Sequence, residues 1–538
     1  MCITAKTCSP VNMNKYLTHI AILFVAAAAF SCGSKEDPTP TPTPDPAPKA
    51  ITLSASAFTP AQAGETLSLT VTAPFRPTLS GVPSWITLQD GTFDKYQITF
   101  GLVVAANETY ETRSATITVK ASMVSDVTFT VTQEGKEKPQ PGTESNPLAD
   151  FFGLGWNMGN QFDGYYNGSW AGELEGYPAE CCWQPSDAHK ATQATFDGVK
   201  AAGFTSVRIP VSWLKMIGDA PDYTIDETWI NRVYEVVQYA HNAGLKVIIN
   251  THHDENHGVS NDYQWQDIKK AAASSATNTA IKAKIKGVWT NIANRFKDCG
   301  DDWLMMEGFN EINDGEWGWS SDFLNNPTKQ CNILNEWNQV FVDAVRATGG
   351  NNATRWLGVP TYAANPEYVK YFTLPDDPAK KTAISVHFYD PSAYTIGKEQ
   401  YSDWGHTGAS DKKADGGDED HVKEVFSNLF AGYVSNGIPV YIGEYGCSMR
   451  SKSDSRAWAF FMYYLEYVVK AARTYELPCF LWDNGGESSG QEQHGYIHHG
   501  TGNYIGSSKE PIGVMVKAWF DTDSGYTLDS VYNSAPKF

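Results

Sequence analysis

Basic residues are scarce in this 538-residue chain. Lys and Arg number 41 against 61 Asp and Glu, giving a formal net charge of −20 and a pI near 5.0. Such a surface repels phosphate, which argues against nucleic acid and against an anionic membrane face while leaving neutral polymers open. Charged residues of both signs make up only 19% and hydrophobic residues 41%, a globular balance rather than a disordered one. Cysteine is sparse too. The six beyond Cys32 (Cys181, Cys182, Cys299, Cys331, Cys447 and Cys479) match no zinc spacing, and the vicinal pair Cys181-Cys182 is not a CxxC redox motif. Outside the cytoplasm some could pair as disulfides; Cys447 and Cys479, near the ends of predicted strands, also fit as small buried apolar residues. No glycine-rich phosphate turn follows the first strand of the C-terminal region, so a doubly wound nucleotide fold is disfavoured. Neither a cofactor nor a metal is expected.

The apolar run Ile20–Phe30 falls short of the roughly 20 residues that span a bilayer, and with Lys15 before it reads as a signal h-region. Met13 is a second candidate start. The run ends in Ala29-Phe30-Ser31-Cys32, which resembles a bacterial lipoprotein lipobox, although Phe30 and the lack of Leu at the −3 position depart from the usual pattern. Residues 1–32 are therefore expected to be a lipoprotein signal lipidated at Cys32, the alternative being a plain signal peptide. Residues 33–49 alternate Pro with Thr, a semi-rigid extended stalk suited to holding a domain away from a membrane. A cell-surface, outer-membrane lipoprotein is expected, or else a periplasmic or secreted protein.

Residues 50–135 carry short runs of period two, such as 66–71, 115–119 and 127–131, broken by Pro and Gly, which predict a small immunoglobulin-like β-sandwich. The stretches Pro83-Ser84-Trp85-Ile86, Asn107-Glu108-Thr109, Arg113 to Ile117 and Val131-Thr132-Gln133 resemble a BACON domain. That family occurs beside carbohydrate-active regions in Bacteroidetes surface proteins. Trp85, read as lying within a strand, is expected in the core rather than as a sugar platform, and the domain is expected to be a spacer first. Residues 136–146 read as a second linker.

From 147 to 538 apolar β-branched runs alternate with amphipathic segments, the rhythm of repeated βα units. Eight strands are expected, at 153–156, 206–209, 246–250, 304–309, 356–359, 383–387, 440–443 and 479–482. Eight such units predict an α/β (β/α)8 TIM barrel with long loops.

The active site of such a barrel lies at the C-terminal strand ends. Here those ends carry Arg208, His252-His253, Asn310-Glu311, His387-Phe388-Tyr389, Glu444 and Trp482. A core does not tolerate these groups unpaired, and although any one has an ordinary structural explanation, their joint occurrence does not. Two carboxyls facing one glycosidic bond suffice for hydrolysis, and Glu311 and Glu444 come from opposed strands. Arg208 would keep one carboxylate ionised, Asn310 would donate to a sugar 2-hydroxyl, Tyr389 would bond the nucleophile, and Trp482 would floor the reacting sugar.

The motifs Gly155 to Asn160, Val207 to Trp213, Asn250 to Asp254, Phe309-Asn310-Glu311, Ser385 to Pro391 and Ile442 to Gly446 resemble glycoside hydrolase family 5, most of all its subfamily 4. The resemblance implies a retaining endo-β-1,4-glucanase with Glu311 as acid/base and Glu444 as nucleophile. It also implies that Arg208, one of His252 or His253, Asn310, His387, Tyr389 and Trp482 complete the site, with Asn160 beside them. Xyloglucan, mixed-linkage β-glucan and cellulose-type chains are the expected substrates. One departure stands out: Gln161-Phe162-Asp163 replaces the Thr-Leu-Asp common in the family. In the loop that follows, Trp170 and Trp183 are candidates for stacking on sugars, or for ordinary loop packing. Glu316, Trp317 and Trp319 are candidates for the opposite arm. Competing readings are a non-catalytic surface glycan-binding protein, a xylan- or mannan-specific hydrolase, and a metal-dependent hydrolase recruiting His252, His253, His387 and Asp254. The protein is expected to be a monomer.

Overall fold

The structure, a computed structural model, describes residues 46–107, 109, 111–137, 141–166, 175–256, 263–397, 401–488 and 490–538. The signal segment with Cys32, and Trp170, lie outside the described residues. The chain divides into two compact units, at Glu137/Lys138.

The first unit is a two-sheet β structure. One sheet orders strands β1 (Thr52–Leu53), β3 (Glu65–Thr72), β6 (Gln97–Val104) and β5 (Ile86–Gln89); the other orders β2 (Ala57–Phe58), β8 (Val127–Gln133), β7 (Arg113–Lys120) and β4 (Thr78–Ser80). Alternation gives each strand one buried face: Ile98, Phe100, Leu102 and Val104 of β6 join Leu69, Val71, Ile117, Val119, Phe129 and Val131 in one core. Trp85 differs from expectation. It sits in the turn before β5, half-buried against this core, with the Arg113 guanidinium 4.5 Å above its ring. Arg113 also donates to the carbonyls of Ala105 and Ala106 and to Gln133, which holds its guanidinium over the indole.

The second unit is a closed barrel of eight parallel strands. They are β9 (Leu154–Asn157), β10 (Ser206–Ile209), β11 (Lys246–Asn250), β12 (Leu304–Glu307), β13 (Leu357–Pro360), β14 (Thr382–Phe388), β15 (Val440–Tyr445) and β16 (Cys479–Leu481), with β16 closing onto β9. All eight predicted strands are present. The fourth ends at Glu307, so Asn310 and Glu311 lie on the loop beyond it. Within each strand the period of two sorts side chains to two cores. Leu304 and Met306 pack outward under the helices, as do Val247, Ile249, Ile384, Val386, Val440 and Ile442. Met305, Ile248, Ala383, Tyr441 and Phe480 point into the barrel and meet Leu148 and Phe152 of the helix Pro147–Phe152. The N-terminal end of the barrel is thus apolar and plugged, which leaves the opposite end for polar chemistry.

Part of the expected linker belongs to this unit. Gly142 N donates to Ser435 Oγ at 2.8 Å, and Asn146 Nδ2 donates to the carbonyls of Val440 and Glu476, each at 2.7 Å. Asn146 also caps the helix at 147–152 through Leu148 N. The composition that signalled a linker (Lys-Pro-Gln-Pro-Gly) ends on Gly142, the first of these anchoring residues. The six cysteines beyond Cys32 are free and buried; burial pushes the Cys331 and Cys182 thiols up to about 12, so they stay protonated.

Candidate active site

Just above the apolar plug the inward positions turn polar. Arg208, fully buried on β10, is the centre. Its Nε and Nη2 meet Glu307 Oε2 and Oε1 at 2.7 and 3.2 Å, its Nη1 meets Asn157 Oδ1 at 3.0 Å and Glu444 Oε1 at 2.8 Å, and its Nη2 meets Asn310 Oδ1 at 2.9 Å. Burial works against the charge, but the two carboxylates outweigh it and hold the guanidinium pKa above its ordinary value. Asn157 is oriented in turn by the carbonyls of Gly443 and Phe480, to which its amide donates.

Glu444 lies within β15 and its side chain is almost wholly buried. One oxygen accepts from Arg208 and the other from the Tyr389 hydroxyl at 2.9 Å, with His387 Nδ1 3.6 Å away. Burial raises its pKa above the usual carboxylate value; His387, Arg208 and Tyr389 oppose that rise, while Glu311 adds to it. A register slip between Val386 and His387 pairs His387 with Glu444 and turns both toward the barrel mouth. Gly443 makes this possible, because a Cβ there would sit 3.0 Å from both His387 Nε2 and Ser385 Oγ.

Glu311 is more open and sits 2.7 Å from His387 Nδ1. Burial pulls the His387 pKa down to about 4, so its ring is neutral at pH 7 and one proton lies between this nitrogen and Glu311. Polar atoms of Glu311, His387 and Glu444 all lie within 4.8 Å of one another. One oxygen of each carboxyl coming this close is compatible with a retaining pair, whose carboxyl groups stand about 5–5.5 Å apart.

The two histidines after β11 now separate. Asn250 Oδ1 accepts from Val211 N, which leaves its Nδ2 to donate to His252 Nδ1 at 3.2 Å and places the His252 hydrogen on Nε2. His252 is buried and lies parallel to Trp482 at 5.9 Å; His253 is partly exposed. Burial pulls His253 down, but Glu255, Asp163 and Glu311 outweigh it and hold its pKa at about 9, an imidazolium at pH 7. Asp254, recruited by the metal-dependent reading, is committed elsewhere. It accepts from Trp213 N, Leu214 N and Trp265 Nε1, each at 2.8 Å, and so fixes the loop after β10.

Trp482 follows β16 and its ring lies against Gly159. The neighbouring Asp483 holds it there, accepting from Trp156 Nε1 and from the backbone of Gly485, Tyr496 and Ile497. A Cβ at Gly159 would meet the Trp482 ring at 2.6 Å. Gly159→Ala is therefore expected to destabilise the fold by about 1–3 kcal/mol and, by tilting the indole, to lower kcat/KM by about tenfold. Thermal unfolding and steady-state kinetics check this; unchanged kcat/KM would show that the indole's placement is unimportant.

These groups line a cleft of about 530 Å³. Asn160, His252, His253, Asn310, Glu311, His387, Tyr389, Glu444 and Trp482 all face it; Arg208 lies just beneath. Trp317 and Trp319 extend one arm, Trp319 74% exposed. Trp183 does not line this cleft: it is exposed and packs its indole edge on Gly164. Sequence reasoning missed Glu307, Asn157, Asp163, Asn484, Glu492 and His494. Glu307 carried a signal, a carboxylate at an inward position of an otherwise apolar strand.

A plugged parallel barrel with two close carboxylates and one buried arginine at its open end defines a retaining glycoside hydrolase. The family description Cellulase (glycosyl hydrolase family 5) matches residues 166–488, and the chain belongs to that family. A second description, BACON, a putative N-terminal binding domain, matches residues 80–134. Endoglucanase A of Paenibacillus barcinonensis is 36% identical over 361 residues, covering 64% of this chain and 82% of that protein. A xyloglucan-specific endo-beta-1,4-glucanase of Bacteroides ovatus is 33% identical over 406 residues, 71% of this chain and 76% of its own. Among solved structures, a subfamily 4 broad-specificity endoglucanase from Bacteroides salanitronis is 47% identical, with a TM-score of 0.65 over 72% of this chain and 99% of its own.

Proposed function

We propose that this enzyme cleaves the β-1,4-glucan backbones of plant polysaccharides internally and with retention, Glu444 acting as nucleophile and Glu311 as acid/base. The observation that carries the assignment is the asymmetry between the two carboxyls: Glu444 is almost wholly buried and accepts from Arg208 and Tyr389, whereas Glu311 is more open and meets the neutral His387 ring at 2.7 Å. In the first step a Glu444 oxygen attacks the anomeric carbon while Glu311 gives its proton to the departing oxygen, releasing the reducing-end fragment. In the second, Glu311 takes a proton from water, which displaces Glu444 and restores both groups. The second Nδ2 hydrogen of Asn310, whose first points to Glu255 at 3.4 Å, is available to the sugar 2-hydroxyl.

An open cleft with indoles at its rim suits an internal site on a long chain. The relatives' names support xyloglucan, mixed-linkage glucan and cellulose-type chains as the substrate class. On xyloglucan, barley β-glucan, carboxymethylcellulose, xylan and glucomannan, we expect rapid viscosity loss and oligosaccharides from the first three. Release of monosaccharide or cellobiose alone, or turnover confined to xylan or mannan, would overturn the reading. The lipobox-like segment ending at Cys32 and the Pro/Thr stalk support tethering of the enzyme at the cell surface by an N-terminal lipid.

A further inference from the structure

Glu307 takes no part in the reaction just described, yet it is fully buried at the centre of the site. Its two oxygens form the bidentate half of the Arg208 network, and Oε1 also accepts from Ser385 Oγ at 3.2 Å. Arg208 therefore serves two carboxylates at once, one on each edge of its guanidinium. We propose that Glu307 is a positioning residue: acting through Arg208, it sets both the placement and the charge state of Glu444. The proposal rests on the reading of Glu444 as the nucleophile.

The geometry gives two separate effects. The paired Nε and Nη2 bonds fix the plane of the guanidinium, and that plane aims Nη1 at Glu444 Oε1. Without Glu307 the planar group is left with Asn157, Asn310 and Glu444 itself, so no charged anchor independent of the attacking carboxylate fixes its bearing. The second effect is electrostatic. With both carboxylates ionised, one positive charge faces two negative ones, so Glu444 is stabilised enough to ionise without being bound so tightly that it stops attacking. Remove Glu307's charge and Arg208 belongs to Glu444 alone; its carboxylate becomes easier to ionise and less basic. The groups that face Glu444 are Arg208 from β10, Glu311 from the loop after β12, and His387 and Tyr389 from the end of β14. Around Glu307 stand Arg208, Ser385, Tyr441 and His387.

Glu307→Gln keeps the shape and removes the charge. On an activated aryl β-cellobioside, we expect the acid limb of kcat/KM to move down by about one pH unit. We also expect kcat to fall about ten- to a hundredfold with KM nearly unchanged. Glu307→Asp keeps the charge but withdraws it by one methylene, so its acid limb should stay in place while kcat falls. A Gln variant whose acid limb does not move, or an Asp variant with unaltered kcat, overturns the proposal; should the Gln variant not fold, the Asp variant decides alone. Failure of the underlying reading looks different. Glu444→Ala would then form no glycosyl azide with added azide, whereas a rescued Glu444→Ala beside an unmoved Glu307→Gln limb would sink only the role of Glu307.

Discussion

Glu444→Ala is expected to lower turnover of polysaccharide by roughly ten-thousandfold to a millionfold while leaving oligosaccharide affinity within a few-fold. On the proposed assignment the loss is large because Glu311 serves the leaving oxygen, while Tyr389 and Arg208 bond the carboxylate that the substitution removes. Binding survives because Trp482, His252, Asn160 and the Trp317–Trp319 arm are untouched. Azide is small enough to enter the vacated space and attack the anomeric carbon from the same side. With a dinitrophenyl β-cellobioside the expected product is the α-glycosyl azide, identified by NMR. Substantial residual activity that azide does not stimulate would remove Glu444 from the nucleophile's role.

Glu311→Ala should fail in a different manner. Hydrolysis of polysaccharide, whose leaving group is a sugar hydroxyl that must be protonated, is expected to drop by roughly a hundredfold to ten-thousandfold. Formation of the glycosyl-enzyme from a dinitrophenyl glycoside should be nearly unaffected, since that phenolate leaves without a proton. Azide should accelerate the second step and yield the β-glycosyl azide, because it now attacks the intermediate from the face that Glu311 has left open. The two azide anomers separate the roles of two glutamates whose oxygens are within 4.8 Å. Formation of the α-azide by Glu311→Ala would exchange the assignments.

Much of this site was legible in the order of residues. The eight strands could be located because parallel strands buried on both faces read as short β-branched runs, and their C-terminal ends are where polar residues interrupt those runs. Glu311 and Glu444 stood out for that reason. Glu307 did not, although it is two positions after Met305 on the same inward face, because a strand-internal carboxylate has no local partner in sequence; Arg208 lies 99 residues away. The linker reading failed at residues 142–146 for a related reason: their anchors, Ser435, Val440 and Glu476, are about 300 residues downstream. An aromatic such as Trp183 looks the same in sequence whether it lines the cleft or, as here, packs outside it on Gly164.

The sequence by itself determined the barrel, through the period of its apolar residues, and singled out Glu311 and Glu444 as the candidate pair, through the motifs around them. Only the tertiary structure decided how differently those carboxyls are held. Burial, the register slip at His387 and the shared Arg208 arise from strands far apart in the chain, and a carboxylate's character depends on the charges and donors that folding brings within a few ångströms of it.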